Sequence, residues 1–153
     1  MTDQLTLQIQ ASLSAVPSAN ETASRWLTDR NAPPEVQYLA NLAVEELVTN
    51  CIKYGYEDPG DHVIEIKLQI SGNELALTVT DDGRPFNPLE LPEPDIHSPI
   101  EDRPIGGLGI FLVRRMSDRM DYVRASGRNS VTIRKSMGNS PIPSGSGSGI
   151  SED

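Results

Sequence analysis

The 153 residues of this chain predict an α+β fold, a two-layer α/β sandwich in which an antiparallel-dominated mixed sheet carries its helices on one face. Three observations support this. Period-two stretches occur in hairpin-like pairs, two long segments show helical spacing, and turns rather than regular crossovers connect the strands.

Leu5, Leu7, Ile9, Ala11 and Leu13 alternate with Thr6, Gln8, Gln10 and Ser12, which predicts a half-buried strand over 5–13. Pro17 opens a helix running to about Arg30. Pro33 and Pro34 begin a second helix, with Glu35 near its positive end, that continues to Tyr54 and takes Gly55 as its stop. Ile64, Ile66, Leu68 and Ile70 form the apolar row of a strand, and S-G-N turns the chain into a partner strand with Leu75, Leu77 and Val79. Prolines at 85, 88, 92, 94, 99 and 104 interrupt any period from 84 to 105, a segment read as a lid. Gly106-Gly107-Leu108-Gly109 opens an apolar helix through Met116. Strands over 119–126 and 130–136 follow, joined by a turn at Gly127-Arg128-Asn129. The low-complexity residues 138–153 read as a disordered tail behind one domain of 1–137.

Charge and composition exclude several functions. A net charge of -9 repels a polyphosphate backbone, so no nucleic-acid role is expected. Cys51 is the single cysteine, which excludes an internal disulfide and a multi-cysteine zinc site and fits a reducing compartment. The first ten residues lack a basic region followed by an apolar core, and no run approaches the roughly 18 apolar residues of a membrane span. A cytoplasmic protein without a membrane association is the expectation.

Chemistry-bearing residues concentrate on the second helix. Gln37, Asn41, Glu45 and Thr49 form a polar row assigned to solvent. Glu46 and Asn50 flank Leu39, Leu42, Ala43 and Leu47 and lean toward the sheet, where two roles are open. They are edge residues reaching water, or Asn50 offers an oxygen to a hard cation such as magnesium while Glu46 takes a proton from a nucleophile. Counting from Leu75, Leu77 and Val79, Asp81 falls in phase with the apolar face and Asp82 does not. Asp81 is then either part of an Asp-Asp-Gly turn or an acceptor for a donor such as the exocyclic amine of a purine. The 106–109 glycines let backbone N–H groups approach an anion at a helix start, and Lys53 lies one turn past Asn50.

The set Glu46, Asn50, Lys53, then Asp81 and Gly83, then a proline-rich lid, then Gly106 to Gly109, resembles the N, G1 and G2 boxes of the Bergerat-fold ATPases, also called GHKL or histidine-kinase-like ATPases. A-V-E-E-L-V-T-N and D-D-G-R-P-F-N-P are most similar to bacterial anti-sigma-factor serine/threonine kinases, and the likeness spans roughly residues 5–136. The resemblance implies that Glu46 is the general base for a protein hydroxyl and that Asn50 holds Mg2+ on the phosphates of ATP, with Lys53 beside them. It implies that Asp81 binds the adenine amine, that Gly83 makes room for the ring, that Gly106, Gly107, Leu108 and Gly109 lie near the phosphates, and that Thr132 supports Asp81 through water. Two positions depart from the family pattern: Pro85 replaces the second glycine of D-x-G-x-G, and Tyr54 stands where many relatives have histidine.

The function implied is an ATP-dependent protein serine/threonine kinase that holds a sigma factor or analogous partner and phosphorylates a STAS-type antagonist, in a family where dimers are common. The alternatives are a nucleotide-binding interaction module without turnover and a stand-alone histidine-kinase-like ATPase domain. Against the latter, His62 precedes a strand and His97 lies in the lid, so neither sits on a helix as a phospho-acceptor would.

Overall fold

The computed structural model describes residues 2–57, 61–92 and 108–138. Five strands arise where the alternation is strongest: β1 Thr2–Gln10, β2 Val63–Ser71, β3 Glu74–Asp81, β4 Arg119–Ala125 and β5 Arg128–Ser136. They stand in the order β1-β2-β3-β5-β4 and every pairing is antiparallel. Three helices, α1 Val16–Asp29, α2 Pro34–Gly55 and α3 Leu108–Met116, complete a two-layer α+β sandwich, the predicted class.

Strand parity separates the two faces of the sheet. Ile64, Ile66, Leu68, Leu75, Leu77, Val79 and Ile133 are buried in one core with Val36, Leu39, Val44 and Val48 of α2. Lys67, Gln69, Thr78, Thr132 and Arg134 line the opposite, polar face. On that face Thr78 and Thr132 are cross-strand partners whose hydroxyls lie 2.8 Å apart.

Several features differ from the sequence expectation, each for an identifiable reason. β1 spans 2–10 rather than 5–13, because Ser12 caps a short 3-10 turn at Leu13–Ala15 that ends the extended run. Gly55 is the last helical residue rather than the stop, and the chain leaves the helix at extended Tyr56. The polar row of α2 is only partly a solvent face. Ser24 donates to Asn41 at 3.0 Å, Asn41 donates to the Asn20 carbonyl at 3.4 Å, and Thr28 donates to Gln37 at 3.2 Å, so this row binds α1, while Glu45 is exposed.

The last hairpin turns on Ser126 and Gly127, whose φ of 53° and 73° suit a tight two-residue connection. Arg128 and Asn129, expected in the turn, therefore belong to β5. The tail from 139 on and the lid between 93 and 105 lie outside the described residues. No helix among the described residues is long and apolar enough to cross a membrane.

The two faces differ in what a truncation removes. Leu77→Ala, at a fully buried position of the central strand, is expected to lower the unfolding free energy by about 2–5 kcal/mol, and Thr78→Ala on the open face by about 1 kcal/mol or less. Urea denaturation of both variants measures this, and equal losses would contradict the one-sided core.

Candidate functional site

The central strand β3 ends at Asp81, in phase with Leu75, Leu77 and Val79, and that parity buries its side chain to 5% exposure. Asp82, out of phase, is exposed and accepts a hydrogen bond from the Tyr56 hydroxyl at 3.2 Å. A buried carboxylate is costly without donors. Asp81 Oδ1 accepts from the Gly83 N–H at 2.8 Å and from Asn129 Nδ2 at 3.0 Å, and Oδ2 accepts from the Cys51 thiol at 3.1 Å. Each carboxylate oxygen has two acceptor sites, so Oδ1 is satisfied and Oδ2 keeps one for a further donor.

Asp81 lies on the lining of a narrow cleft between the C-terminal part of α2 and the ends of β3 and β5. Leu47, Val79, Phe86 and Val131 form apolar walls, and Asn50 and Cys51 lie with Asp81 on the lining. Asn50 is only 9% exposed and its Nδ2 has no hydrogen-bond partner. Buried amide groups in folded proteins are normally paired, so this orphan fits a group that arrives from outside. Burial, followed by the charge and hydrogen bond of Asp81, holds the Cys51 thiol well above its ordinary pKa, which keeps it a neutral donor.

The backbone of the site is tied to the end of α2. A Cβ on Gly83 would lie 2.6 Å from the Gly55 carbonyl oxygen and 2.8 Å from its Cα. Gly55 thus accounts for the missing side chain at 83, in place of the room for a ring expected from the sequence. Arg84 N–H donates to the Gly55 carbonyl at 2.9 Å, and Arg84 Nε to the Tyr54 carbonyl at 2.9 Å. Tyr54 stacks on Phe86 with ring centroids 4.6 Å apart, so the residue that departs from the family histidine braces the wall beside Pro85.

Glu46 sits one turn before Asn50 and is half-buried. It meets α3 rather than the sheet: a Cβ at Gly109 would overlap its carboxylate, so only glycine leaves that carboxylate its place. Burial first, and then the neighbouring Glu45 charge, raise the Glu46 carboxyl above the ordinary glutamate value.

The structure therefore brings together Asn50, Asp81 and Gly83, with Glu46 and Gly109 adjoining one another at α3. Lys53 is exposed, its ammonium 5.2 Å from the Tyr54 ring centroid, and Leu108 is largely exposed at the start of α3. Gly106 and Gly107 lie outside the described residues. Thr132 does not belong with Asp81. Its parity places it on the far face of the sheet, bonded to Thr78, while the register puts Asn129 opposite Asp81.

Asn129 and Cys51 are the residues that sequence reasoning missed. Asn129 is 3% exposed, donates to Asp81 and to the Arg84 carbonyl, and accepts from the Tyr122 hydroxyl and, at 3.4 Å, from Phe86 N–H. The available signal was parity, since Asn129 is in phase with Val131 and Ile133. Cys51 lies four residues past Leu47 on the same helix face, which marks it as part of the cleft wall.

Comparison with known proteins identifies the family. Residues 9–135 match the family described as "Histidine kinase-like ATPase domain", and the chain belongs to that family. Among its relatives, the "Anti-sigma F factor" of Thermoanaerobacter sp. (strain X514) is 28% identical over 119 residues, covering 74% of this chain and 82% of the relative. The "Serine-protein kinase RsbW" of Listeria monocytogenes serovar 1/2a is 28% identical over 122 residues, covering 77% of this chain and 78% of the relative. The structure of the RsbU and RsbW domains of Rv1364c from Mycobacterium tuberculosis superposes with a TM-score of 0.61 at 14% identity, which shows the shared fold. The match covers 88% of this chain and 32% of that longer one.

The raised Glu46 pKa makes a stability prediction whose sign follows from proton counts. Below the unfolded-state pKa both states hold the proton and Glu46 is neutral in its effect. As pH rises past that value the unfolded chain releases its proton first, so stability falls until the folded pKa is passed. Glu46→Gln removes this penalty and is expected to be more stable than wild type at pH 7, with the difference vanishing below about pH 4. Thermal unfolding of both proteins across this range checks it, and a variant less stable at pH 7 would contradict the assignment.

Proposed function

We propose that the chain is an ATP-dependent protein serine/threonine kinase that works as a partner-switching regulator, holding a sigma factor or an analogous protein and phosphorylating a STAS-type antagonist. The single observation that carries the nucleotide part is the pairing of a buried carboxylate that keeps one free acceptor with a buried Asn50 whose Nδ2 has no partner, both on the lining of the same cleft. The names of the relatives, anti-sigma F factor and serine-protein kinase, support the kinase and partner parts.

In this reading Asp81 Oδ2 accepts the exocyclic amine of adenine while Leu47, Val79 and Phe86 cover the ring faces. Asn50 would hold a magnesium ion through its amide oxygen, since such an ion takes few protein ligands and fills its remaining positions with phosphate oxygens and water, while the unpaired Nδ2 is a donor suited to a phosphate oxygen. Bound Mg-ATP supplies the transferable phosphoryl group and neutralises its developing charge. Glu46 orients the incoming serine or threonine hydroxyl and takes its proton, and the raised pKa brings its proton affinity closer to the working range of a base. Gly109 leaves that carboxylate room, and Lys53, Gly106, Gly107 and Leu108 are assigned to the phosphates on the family resemblance alone. Residues 1–137 form the working domain in this reading, and the compartment is the cytoplasm.

Two linked measurements test the proposal. Mg-ATP at about 100 times its Kd is expected to stabilise the wild type by about 2.7 kcal/mol in a thermal shift, and Asp81→Asn to abolish the shift. With a STAS-type antagonist and labelled ATP, Glu46→Ala is expected to lower transfer about 10²–10⁴-fold while keeping the shift. Transfer at the wild-type rate by Glu46→Ala would remove the base assignment, and a shift without any transfer would leave a nucleotide-binding module that lacks turnover.

A further inference from the structure

We propose that Cys51 is a modification site inside the cleft, at which a small thiol adduct and a nucleotide base exclude one another. The inference rests on the nucleotide reading above and adds a position where that site can be closed covalently. Cys51 Sγ lies 3.1 Å from Asp81 Oδ2, the oxygen that keeps an acceptor for the base amine, so a group bonded to sulfur competes for the same space. The second observation is independent of the thiol. Asn50, 9% exposed and with Nδ2 unpaired, lines the same cleft, which marks this volume as one that receives a ligand.

The reagent class that fits is a low-molecular-weight disulfide, since the cleft is narrow and apolar and Cys51 is half-buried. The deprotonated Sγ attacks one sulfur of R–S–S–R and forms Cys51–S–S–R. The second sulfur leaves as a thiolate and takes up the proton that Cys51 released. The disulfide is itself the oxidant, and one half of it ends as a free thiol. A reductant reverses the capping by the same exchange.

Because Cys51 is the chain's single cysteine, intact mass reports its state directly. The full chain is treated with excess 2-hydroxyethyl disulfide, with and without Mg-ATP. At ten times its Kd, Mg-ATP is expected to slow capping about tenfold, in proportion to the unliganded fraction. The capped protein is expected to lose its ATP-dependent thermal shift and to regain it on reduction. Cys51→Ser, whatever its own affinity, is expected to give the same ATP response before and after treatment. Capping that proceeds equally fast under saturating ATP, capped protein that keeps its shift, or a folded chain that resists capping while the urea-unfolded chain accepts it would each overturn the inference alone. A reduced wild type without any ATP shift overturns the nucleotide reading, and this inference with it.

Discussion

A carboxylate buried at the end of the central strand is the constraint on which the rest of the site depends. Asp81 faces the core because β3 alternates without interruption, and an ionisable group in that position destabilises the fold unless donors converge on it. Three do so from three elements: the Gly83 N–H from the turn after β3, Asn129 from β5 and Cys51 from α2. The turn after β3 can approach the end of α2 only because Gly83 has no side chain, since a Cβ there would lie 2.6 Å from the Gly55 carbonyl oxygen. The hydrogen bonds that make the carboxylate tolerable also fix its orientation, and they leave one acceptor site of Oδ2 unfilled beside the cleft. In the proposed reading the same contacts serve stability and recognition.

α2 connects this end of the site to the other. Its apolar stripe of Val36, Leu39, Ala43 and Leu47 anchors it on the sheet, so the rows beside that stripe are held in fixed directions. Asn50 and Cys51 line the cleft, while Glu46, one turn earlier, meets Gly109 of α3. In the proposed function a rigid helix would space the proton acceptor from the base pocket without needing a loop to hold either, which suits phosphoryl transfer, a reaction governed by positioning and charge.

The parts of this arrangement that were legible in the sequence are those governed by period. The hairpin of β2 and β3, the limits of α2 within a residue or two, the burial of Asp81 against the exposure of Asp82, and the exposure of Glu45 follow from counting alone. Features set by contact between distant segments were not legible. The polar row of α2 looked like a solvent face because nothing local shows that α1 presents Asn20, Ser24 and Thr28 to it. Asn129 looked like a turn residue because Asn is common in turns, and the tighter Ser126-Gly127 turn moved it into β5. Thr132 carried a role by resemblance that parity denies it, one residue out of phase with the buried face.

The role proposed for Asp81 is to select a base by accepting its exocyclic amine. Calorimetric titration of the wild-type protein with Mg-ATP and with Mg-ITP, whose base carries a carbonyl oxygen in place of the amine, tests this most directly. The buried carboxylate cannot pair with that oxygen, so ATP is expected to bind at least about a hundredfold more tightly. Equal affinities for the two nucleotides, or tighter binding of ITP, would contradict the claim.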